Sequence, residues 1–204
     1  MPTYSPSNLT FERGEGAYLY DSNGKSYIDF SSGIAVTSLG HNHPVLVKAL
    51  KSAADKVWHL SNLYTIEGQK QLADKFVSNC FADTVFFTNS GTESLECLIK
   101  IVRKYFNHIN KPKKYRIITF EGAFHGRTLA ALSAGKQKKH LDGFGPPLDG
   151  FDQVSFFDFK ELKDKINDNT AAILLEPIQG EGGIRVFPDK FIYQVKELSE
   201  KNNI

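Results

Sequence analysis

Residues 88–103 read Thr-Asn-Ser-Gly-Thr-Glu-Ser-Leu-Glu-Cys-Leu-Ile-Lys-Ile-Val-Arg, and the rest of the chain is organised around this stretch. In front of it, the β-branched and aromatic run 84–87 predicts a buried strand. Behind it, apolar side chains recur at helical spacing and predict one buried helix face. They are Leu95, Leu98, Ile99, Val102, Tyr105 and Phe106. Ser90 followed three residues later by Glu93 fits a capping box, which predicts that a helix begins here.

The turn between the predicted strand and helix has two interpretations. As a phosphate site, it offers free backbone N–H groups at the positive end of a helix, together with the hydroxyls of Ser90 and Thr92. Gly91 adds no side chain that would keep an anion away from the backbone. As an ordinary capped helix it needs no ligand, and the turn alone favours this reading because Ser-Gly turns are common.

The composition is that of a soluble globular protein, with 204 residues, 41% hydrophobic and 24% charged. A net charge of +2 is too small to indicate nucleic acid or an anionic membrane as the main partner. The N-terminus lacks a signal-peptide pattern, and no apolar run approaches the ~20 residues of a membrane-spanning helix. Cys80 and Cys97 fit no zinc motif and predict a reducing compartment. We therefore expect a cytoplasmic protein that contacts neither membrane nor nucleic acid.

Before residue 84 the sequence predicts irregular structure over 1–16, a β-hairpin over 17–30 with Asn-Gly in its turn, and two helices. The helices begin at Pro44 and at about Ile66. The apolar side chains expected to face inward from these helices and the residues just after them are Val47, Leu50, Ala54, Val57, Trp58, Leu72, Phe76 and Val77.

His41 and His43 lie two residues apart in the Gly- and Ser-rich segment before Pro44, and such a pair can bind a metal. No Asp, Glu or Cys stands beside them in the sequence as a third ligand. We therefore predict no metal site and favour a loop that packs or forms hydrogen bonds.

From residue 84 onward, strands and helices alternate, which predicts a mostly parallel sheet covered on both faces. The predicted elements are strands 116–120, 154–157 and 171–175 and helices 128–134, 160–166 and 189–202. Ligands of such sheets bind beyond the carboxyl ends of the strands. Three unusual loops follow strands, at 88–93, 121–128 and 176–183, so we expect them to meet at one edge of the sheet.

The second loop carries Phe124, His125 and Arg127. Phe124 could stack on the ring of a phosphorylated aromatic cofactor or belong to the core. His125 could be catalytic, although a hydrogen bond within the loop is favoured. Arg127 suits bidentate binding of a substrate carboxylate, or it could pair with a carboxylate of the fold.

The third loop carries Glu176 and Glu181. Either carboxylate could contribute to a site. Alternatively, Glu176 could cap or brace a loop and Glu181 could lie on the surface.

Four segments occur in an order that resembles the class-III pyridoxal-phosphate aminotransferases, and together they extend over nearly the whole chain. They are residues 31–44 with Gly-Ile-Ala-Val and Gly-His-Asn-His-Pro, 89–94 with Asn-Ser-Gly-Thr-Glu-Ser, 124–128 with Phe-His-Gly-Arg-Thr, and 176–183 with Glu-Pro-Ile-Gln-Gly-Glu-Gly-Gly. The resemblance implies the α/β large domain of a fold-type-I pyridoxal-phosphate transferase, truncated, with an N-terminal β-hairpin segment of the small domain. It divides the chain into residues 1–45, an N-terminal segment with the hairpin and a substrate loop, and 46–204, the N-terminal part of the cofactor-binding large domain.

The resemblance also implies a role for each site residue. Those assigned to pyridoxal 5'-phosphate are Ser90, Gly91 and Thr92 at the phosphate, Phe124 stacked on the ring, and His125 and Glu176 near it. Those assigned to substrate are Arg127 at the α-carboxylate, Glu181 as a gate residue and Val36 in the pocket lining. The substrates implied are an amino acid and a 2-oxo acid, and the full-length proteins of the family are homodimers.

This chain departs from the family pattern in two respects. Leu95 stands where the family usually has Asn. The family's Asp that pairs with the pyridinium nitrogen and its Schiff-base Lys find no counterpart among the 204 residues. We therefore expect this chain to be inactive alone, either as a truncated or split product or with a separate C-terminal chain that supplies those residues.

Overall fold

The computed structural model describes residues 1–204, which divide into two compact units, 1–85 and 86–204. The domain boundary expected between residues 45 and 46 lies within the first unit and remains a prediction. None of the helices combines the length and the hydropathy that a membrane-spanning segment requires.

The first unit begins with an antiparallel sheet of β1 (Phe11–Glu15), β2 (Tyr18–Asp21) and β3 (Ser26–Ile28), in the order β1-β2-β3. The predicted hairpin is confirmed as β2 and β3. The expectation that residues 1–16 are irregular is wrong for β1. Cross-strand contacts hold this polar strand, because the guanidinium of Arg13 lies 3.7 Å from the ring centre of Tyr20 and Phe11 packs edge-on against Tyr27.

The rest of the first unit is helical. The single turn α1 (Ser32–Ala35) has positive φ at each of its residues, α2 spans Pro44–Ala54 and α3 spans Glu67–Val77. Both predicted helices form, but the prediction that their apolar side chains are buried is wrong. Leu50 is 72% exposed and Trp58 is 84% exposed. No residue of the first unit is buried, so these amphipathic faces have no second layer within the unit to pack against.

The second unit is an α/β structure, as predicted. Its elements are α4 (Gly91–His108), β4 (Arg116–Phe120), α5 (Leu129–Gly135), α6 (Lys138–Leu141), β5 (Phe151–Val154), α7 (Phe159–Lys165), β6 (Thr170–Ile173), β7 (Ile178–Gln179), β8 (Arg185–Val186) and α8 (Asp189–Asn202). The main sheet has the order β5-β4-β6, and both pairings are parallel. The strands β7 and β8 form a separate antiparallel pair.

Helices cover both faces of the main sheet. Ile117 and Ile118 are neighbours on β4 and fully buried, and alternation along a strand sends them to opposite faces. Ile117 packs in a cluster with Leu95 and Ile99 of α4 and with alanines of α5. Ile118 belongs to a second cluster, with Leu162 of α7 and with Phe120, Phe187, Phe191 and Val195. The first cluster therefore holds α4 against one face of the sheet.

Two strand predictions need correction. Residues 84–87 form no strand and Phe86 is 71% exposed, because the three-stranded sheet has no neighbour paired with this run. The strand predicted at 154–157 lies at Phe151–Val154. The sequence pattern missed it because Asp152 reads as a loop residue, whereas its carboxylate is bound by Arg116 at 2.7 Å from Nε, which makes a charged residue tolerable inside the sheet.

Candidate cofactor-binding site

The first part of the site is the start of α4, where Ser90 is the N-cap. Its Oγ accepts a hydrogen bond from the backbone N–H of Glu93 over 3.3 Å and donates to the Glu93 carboxylate over 3.2 Å. Hydrogen bonds from Asn89 and Ser90 hold the pKa of Glu93 below its ordinary value. The predicted cap is confirmed, and the carboxylate bends back onto the cap. A Cβ added to Gly91 would meet no atom within 4 Å, so the turn is open to a ligand.

The second loop lies directly against this turn. The backbone N–H of Arg127 donates to Oγ1 of Thr92 over 3.3 Å. Gly126 has φ +117°, and a Cβ at this position would lie 2.1 Å from Oγ1 of Thr92. Only glycine permits that approach, because other residues rarely adopt this φ and their side chains would collide with Thr92.

A second contact joins the same two elements one turn further along α4. The hydroxyl of Thr128 donates to Oε1 of Glu96 and accepts the backbone N–H of Ala131 over 3.3 Å, so that Thr128 also caps α5. Sequence reasoning missed Glu96. The available signal was its spacing, because residues four apart on a helix, such as Thr92 and Glu96, lie on the same face.

A cavity of about 640 Å³ lies between the two loops. Its lining includes six of the predicted site residues, namely Ser90, Gly91, Thr92, Phe124, His125 and Arg127. Leu95 also lines it and is otherwise packed in the core, 8% exposed. A hydrocarbon side chain therefore suits this position, since the surrounding core offers apolar contacts.

Phe124 and Arg127 form the wall opposite α4. The guanidinium of Arg127 lies 5.8 Å from the ring centre of Phe124 and forms no ion pair with any carboxylate of the chain. The alternative in which Arg127 pairs with a carboxylate of the fold is not observed. Phe124 is only partly buried, so part of its ring remains available for stacking.

His125 is a half-buried titratable group of the site. Its Nε2 is buried and has no hydrogen-bond partner, so the favoured hydrogen bond within the loop is not observed at this atom. Burial lowers the pKa of His125, and the negative charge of Glu176 opposes that effect. The imidazole is therefore neutral at neutral pH.

The third loop joins the second through Glu176. Its Oε2 accepts the backbone N–H of Phe124 over 2.8 Å, and its Oε1 accepts the backbone N–H of Gly180 over 3.1 Å. The structure thus shows the loop-bracing alternative for Glu176. The prediction that the three loops meet at one edge of the sheet is confirmed, the first touching the second directly and the second touching the third.

Glu181 lies at the exposed tip of the hairpin that β7 and β8 form. Gln179, which sequence reasoning missed, holds this hairpin in place. Gln179 is fully buried, donates to the carbonyl of Glu121 over 3.1 Å and accepts from Arg185 over 2.7 Å. The only sign of this role in the sequence is that a residue as large and polar as Gln179 stands inside a Gly-rich loop. Val36 lies in the first unit, 74% exposed, directly after the left-handed turn α1.

The predicted histidine loop is held by a hydrogen bond. Nε2 of His41 lies 2.8 Å from Oδ2 of Asp29, a residue distant in sequence. This bond is the largest cause that lowers the pKa of Asp29, to about 2, and hydrogen bonds from Ser31 and Ser32 add to it. The favoured interpretation of this loop as hydrogen-bonded agrees with the structure.

The residues of the cavity suit a phosphorylated aromatic molecule. Free N–H groups and hydroxyls at the start of α4 fit a phosphate, and the face of Phe124 fits an aromatic ring. The unpartnered guanidinium of Arg127 fits a carboxylate. Sites with these parts occur in enzymes that use pyridoxal phosphate.

The sequence matches the family described as "Aminotransferase class-III" over residues 2–204, and the chain belongs to that family. Class-III aminotransferases depend on pyridoxal phosphate. Among curated relatives, the acetylornithine aminotransferases of Brucella melitensis and Agrobacterium fabrum are 55% and 54% identical to this chain over 202 residues. Each alignment covers 99% of this chain, but only 50% and 51% of the relative.

The solved structures that match this chain include aminotransferases as well. The ornithine aminotransferase of Toxoplasma gondii matches with a TM-score of 0.93 at 28% identity, over 100% of this chain and 49% of that one. The N-acetylornithine aminotransferase of Stenotrophomonas maltophilia matches with a TM-score of 0.81 at 38% identity, over 97% and 49%. The fold-type-I aminotransferase expectation is confirmed, and the chain spans about half the length of the relatives it matches.

Proposed function

We propose that this chain forms the N-terminal part of a pyridoxal-phosphate-dependent transferase that moves the amino group of N2-acetylornithine to 2-oxoglutarate, a step of arginine biosynthesis in the cytoplasm. The observation that carries the proposal is the bond from the backbone N–H of Arg127 to Thr92, because it attaches the loop that carries a guanidinium without an ion pair to the start of α4. The names of the Brucella melitensis and Agrobacterium fabrum relatives support the choice of substrate.

On this proposal, the start of α4 and Phe124 hold the cofactor. The N–H groups at Ser90, Gly91 and Thr92 bind its phosphate, and the helix dipole favours the negative charge. Phe124 stacks on its ring, while His125, neutral at neutral pH, closes the wall without adding a second positive charge. Pyridoxal phosphate, when bound, supplies the electron-withdrawing ring that the reaction requires.

The substrate residues are Arg127, Glu181 and Val36. Arg127 binds the α-carboxylate through two parallel hydrogen bonds, as a guanidinium does when no other acid occupies it. Glu181, at an exposed hairpin tip, acts as the gate residue when glutamate is the substrate. Val36 contributes to the pocket lining.

Ornithine, succinylornithine and 4-aminobutyrate are alternative donors. The Toxoplasma gondii protein is an ornithine aminotransferase, and a relative from Pseudomonas aeruginosa, 45% identical, is named succinylornithine transaminase/acetylornithine aminotransferase. Arg127 argues against 4-aminobutyrate, which has no α-carboxylate.

We further propose that these 204 residues do not catalyse the reaction alone. Neither the family's pyridinium-pairing Asp nor its Schiff-base Lys has a counterpart among them, and both would have to come from additional polypeptide. A non-catalytic fragment that binds phosphate compounds is the alternative. The exposed apolar side chains of α2 and α3 support a homodimer in the full-length form, since exposed apolar patches mark surfaces of contact between proteins.

The proposal can be tested by mixing this chain with the C-terminal half of the Brucella melitensis relative and measuring amino transfer to 2-oxoglutarate. We expect activity with N2-acetylornithine above that with ornithine or 4-aminobutyrate, and none from either half alone. Better use of 4-aminobutyrate would contradict the assigned substrate.

For the chain alone, borohydride reduction with pyridoxal phosphate followed by mass spectrometry should give only scattered, low-level lysine labelling. Stoichiometric labelling of one lysine, with transfer activity, would show that the chain is self-sufficient.

A further inference from the structure

Glu176 is the only carboxylate in the site whose two oxygens are both bound by backbone N–H groups of different loops. Oε2 receives the N–H of Phe124 over 2.8 Å and Oε1 receives the N–H of Gly180 over 3.1 Å. Phe124 belongs to the wall of the cavity, and Gly180 directly precedes Glu181 at the hairpin tip. One side chain therefore connects a ring-binding position with the segment that carries the gate residue.

We propose that Glu176 is a positioning residue that couples occupancy of the cofactor cavity to the conformation of the 180–184 tip. This inference rests on the proposed function and deepens it. When a ring stacks on Phe124, the backbone of Phe124 is restrained, and Glu176 passes that restraint to the N–H of Gly180. The role is separate from the direct cofactor contact that family resemblance implies, because it depends on the bonds of the two carboxylate oxygens to the backbone N–H groups of Phe124 and Gly180.

The physical requirement is a side chain with two acceptors. Hydrogen bonds to a charged acceptor contribute about 1.5–3 kcal/mol each. In Glu176→Gln one acceptor becomes an NH₂ donor, which faces a backbone N–H and cannot bind it. The variant keeps the size of the side chain and breaks the link between the loops.

The rest of the hairpin is anchored independently of Glu176. Gln179 and Arg185 both bind the carbonyl of Glu121, over 3.1 and 2.7 Å. These anchors hold the base of the hairpin, so loss of Glu176 should free the tip without unfolding β7 and β8. Glu121→Gln is a matched control, because the exposed Glu121 side chain forms no hydrogen bond and only its carbonyl is used.

The test is amide-resolved hydrogen exchange on the 204-residue chain, with and without pyridoxamine 5'-phosphate. Without the compound, Glu176→Gln should raise exchange at Phe124, Gly180 or both by about ten-fold or more, since ten-fold corresponds to about 1.4 kcal/mol. Glu121→Gln should leave both amides as in the wild type. In the wild type, pyridoxamine phosphate should protect both amides, whereas in Glu176→Gln it should protect only Phe124.

Equal protection of Gly180 by pyridoxamine phosphate in Glu176→Gln would overturn the coupling, and so would an unchanged exchange rate at both amides without the compound. If pyridoxamine phosphate protects nothing in the wild type, the proposed function fails, and the exchange rates without it still decide whether Glu176 holds the two loops. Protection of Ile117 and Ile118 in β4 reports whether the fold is intact. If Glu176→Gln unfolds, Glu176→Asp, which is too short to reach both donors, takes its place with the same expected result.

Discussion

The backbone N–H of Arg127 donates to Oγ1 of Thr92 over 3.3 Å, so the residue proposed to bind the substrate carboxylate is attached to the helix start proposed to bind phosphate. Thr92 therefore has two tasks. Its oxygen accepts from Arg127, while its hydroxyl hydrogen is free to donate to a phosphate. Movement at either position must affect the other.

Thr92→Val removes the hydroxyl, and with it both hydrogen bonds, at nearly constant side-chain volume. We expect weaker binding of pyridoxamine 5'-phosphate by about 1 kcal/mol, roughly five-fold in Kd, because one hydrogen bond is lost and the N–H of Arg127 is left unpaired. Isothermal titration calorimetry measures the change. Thr92→Ser keeps the hydroxyl and should bind nearly as the wild type does. Equal loss in both variants would contradict this explanation, because Thr92→Ser keeps the hydroxyl that the explanation requires.

Gly126→Ala should separate the first two loops. The added Cβ would lie 2.1 Å from Oγ1 of Thr92, and φ +117° is strained for alanine. We expect a loss of about 1–3 kcal/mol in the free energy of unfolding, measured in urea, together with weaker pyridoxamine phosphate binding. Gly180→Ala is the control, since a Cβ there meets nothing within 4 Å. Unchanged stability in Gly126→Ala would show that the loop yields freely.

Arg127→Lys should damage amino-acid binding more than cofactor binding. An ammonium replaces two parallel hydrogen bonds by one, a loss on the order of 1–3 kcal/mol. In any reconstituted active form, we expect the KM for acetylornithine to rise about ten-fold or more while the Kd of the cofactor changes little. A fall in cofactor affinity with an unchanged KM would mean that Arg127 is structural.

The sequence predicted the residues that line the cavity better than the residues that hold the loops in place. Ser90, Thr92, Phe124 and Arg127 sit in loops that follow strands or begin helices, and parallel sheets bring such loops to one edge. Gln179 was missed because its function depends on the carbonyl of Glu121, which only the folded chain brings within reach.

For the fold, too, local patterns could be predicted from the sequence, whereas contacts between distant residues could not. The alternation after residue 84 predicted the parallel sheet, since strands buried on both faces and amphipathic helices leave a local pattern. The run 84–87 carries a strand pattern but has no paired neighbour, and pairing depends on residues far away in sequence. Likewise, the apolar stripes of α2 and α3 predicted helices correctly but could not show that nothing in the first unit covers them.

His125 should make stability depend on pH. Burial lowers its folded-state pKa below the ordinary value of 6.5, so the folded state favours the neutral imidazole. The contribution of the neutral imidazole to the free energy of unfolding is complete above pH 6.5. It is lost as the pH falls below 6.5 toward the folded-state pKa. NMR titration should show His125 titrating below the ordinary range, and lower still in Glu176→Gln, which removes the charge that raises it. A titration at or above pH 6.5 would contradict the burial argument.

The exposed apolar surface of the first unit should make the isolated chain associate. Leu50 and Trp58 are mostly exposed, and no residue of this unit is buried. In the second unit, β5 and β6 are the two edges of the main sheet. Exposed apolar faces and unpaired edges both promote contact between chains. We expect size-exclusion chromatography with light scattering to show oligomers or partner-bound species rather than a 22.9 kDa monomer.

Substitution of exposed apolar side chains distinguishes association through the apolar surface from association caused by an unstable fold. Leu50→Gln combined with Leu63→Gln should shift the distribution toward monomer without lowering the unfolding midpoint, because neither side chain is buried and neither contributes to a core. Lys48→Gln, on the same helix as Leu50, is the control and should leave association unchanged. A monodisperse wild-type monomer that unfolds in one cooperative transition would mean that these 204 residues cover their own apolar surface in solution, and that the exposed faces of α2 and α3 need no partner.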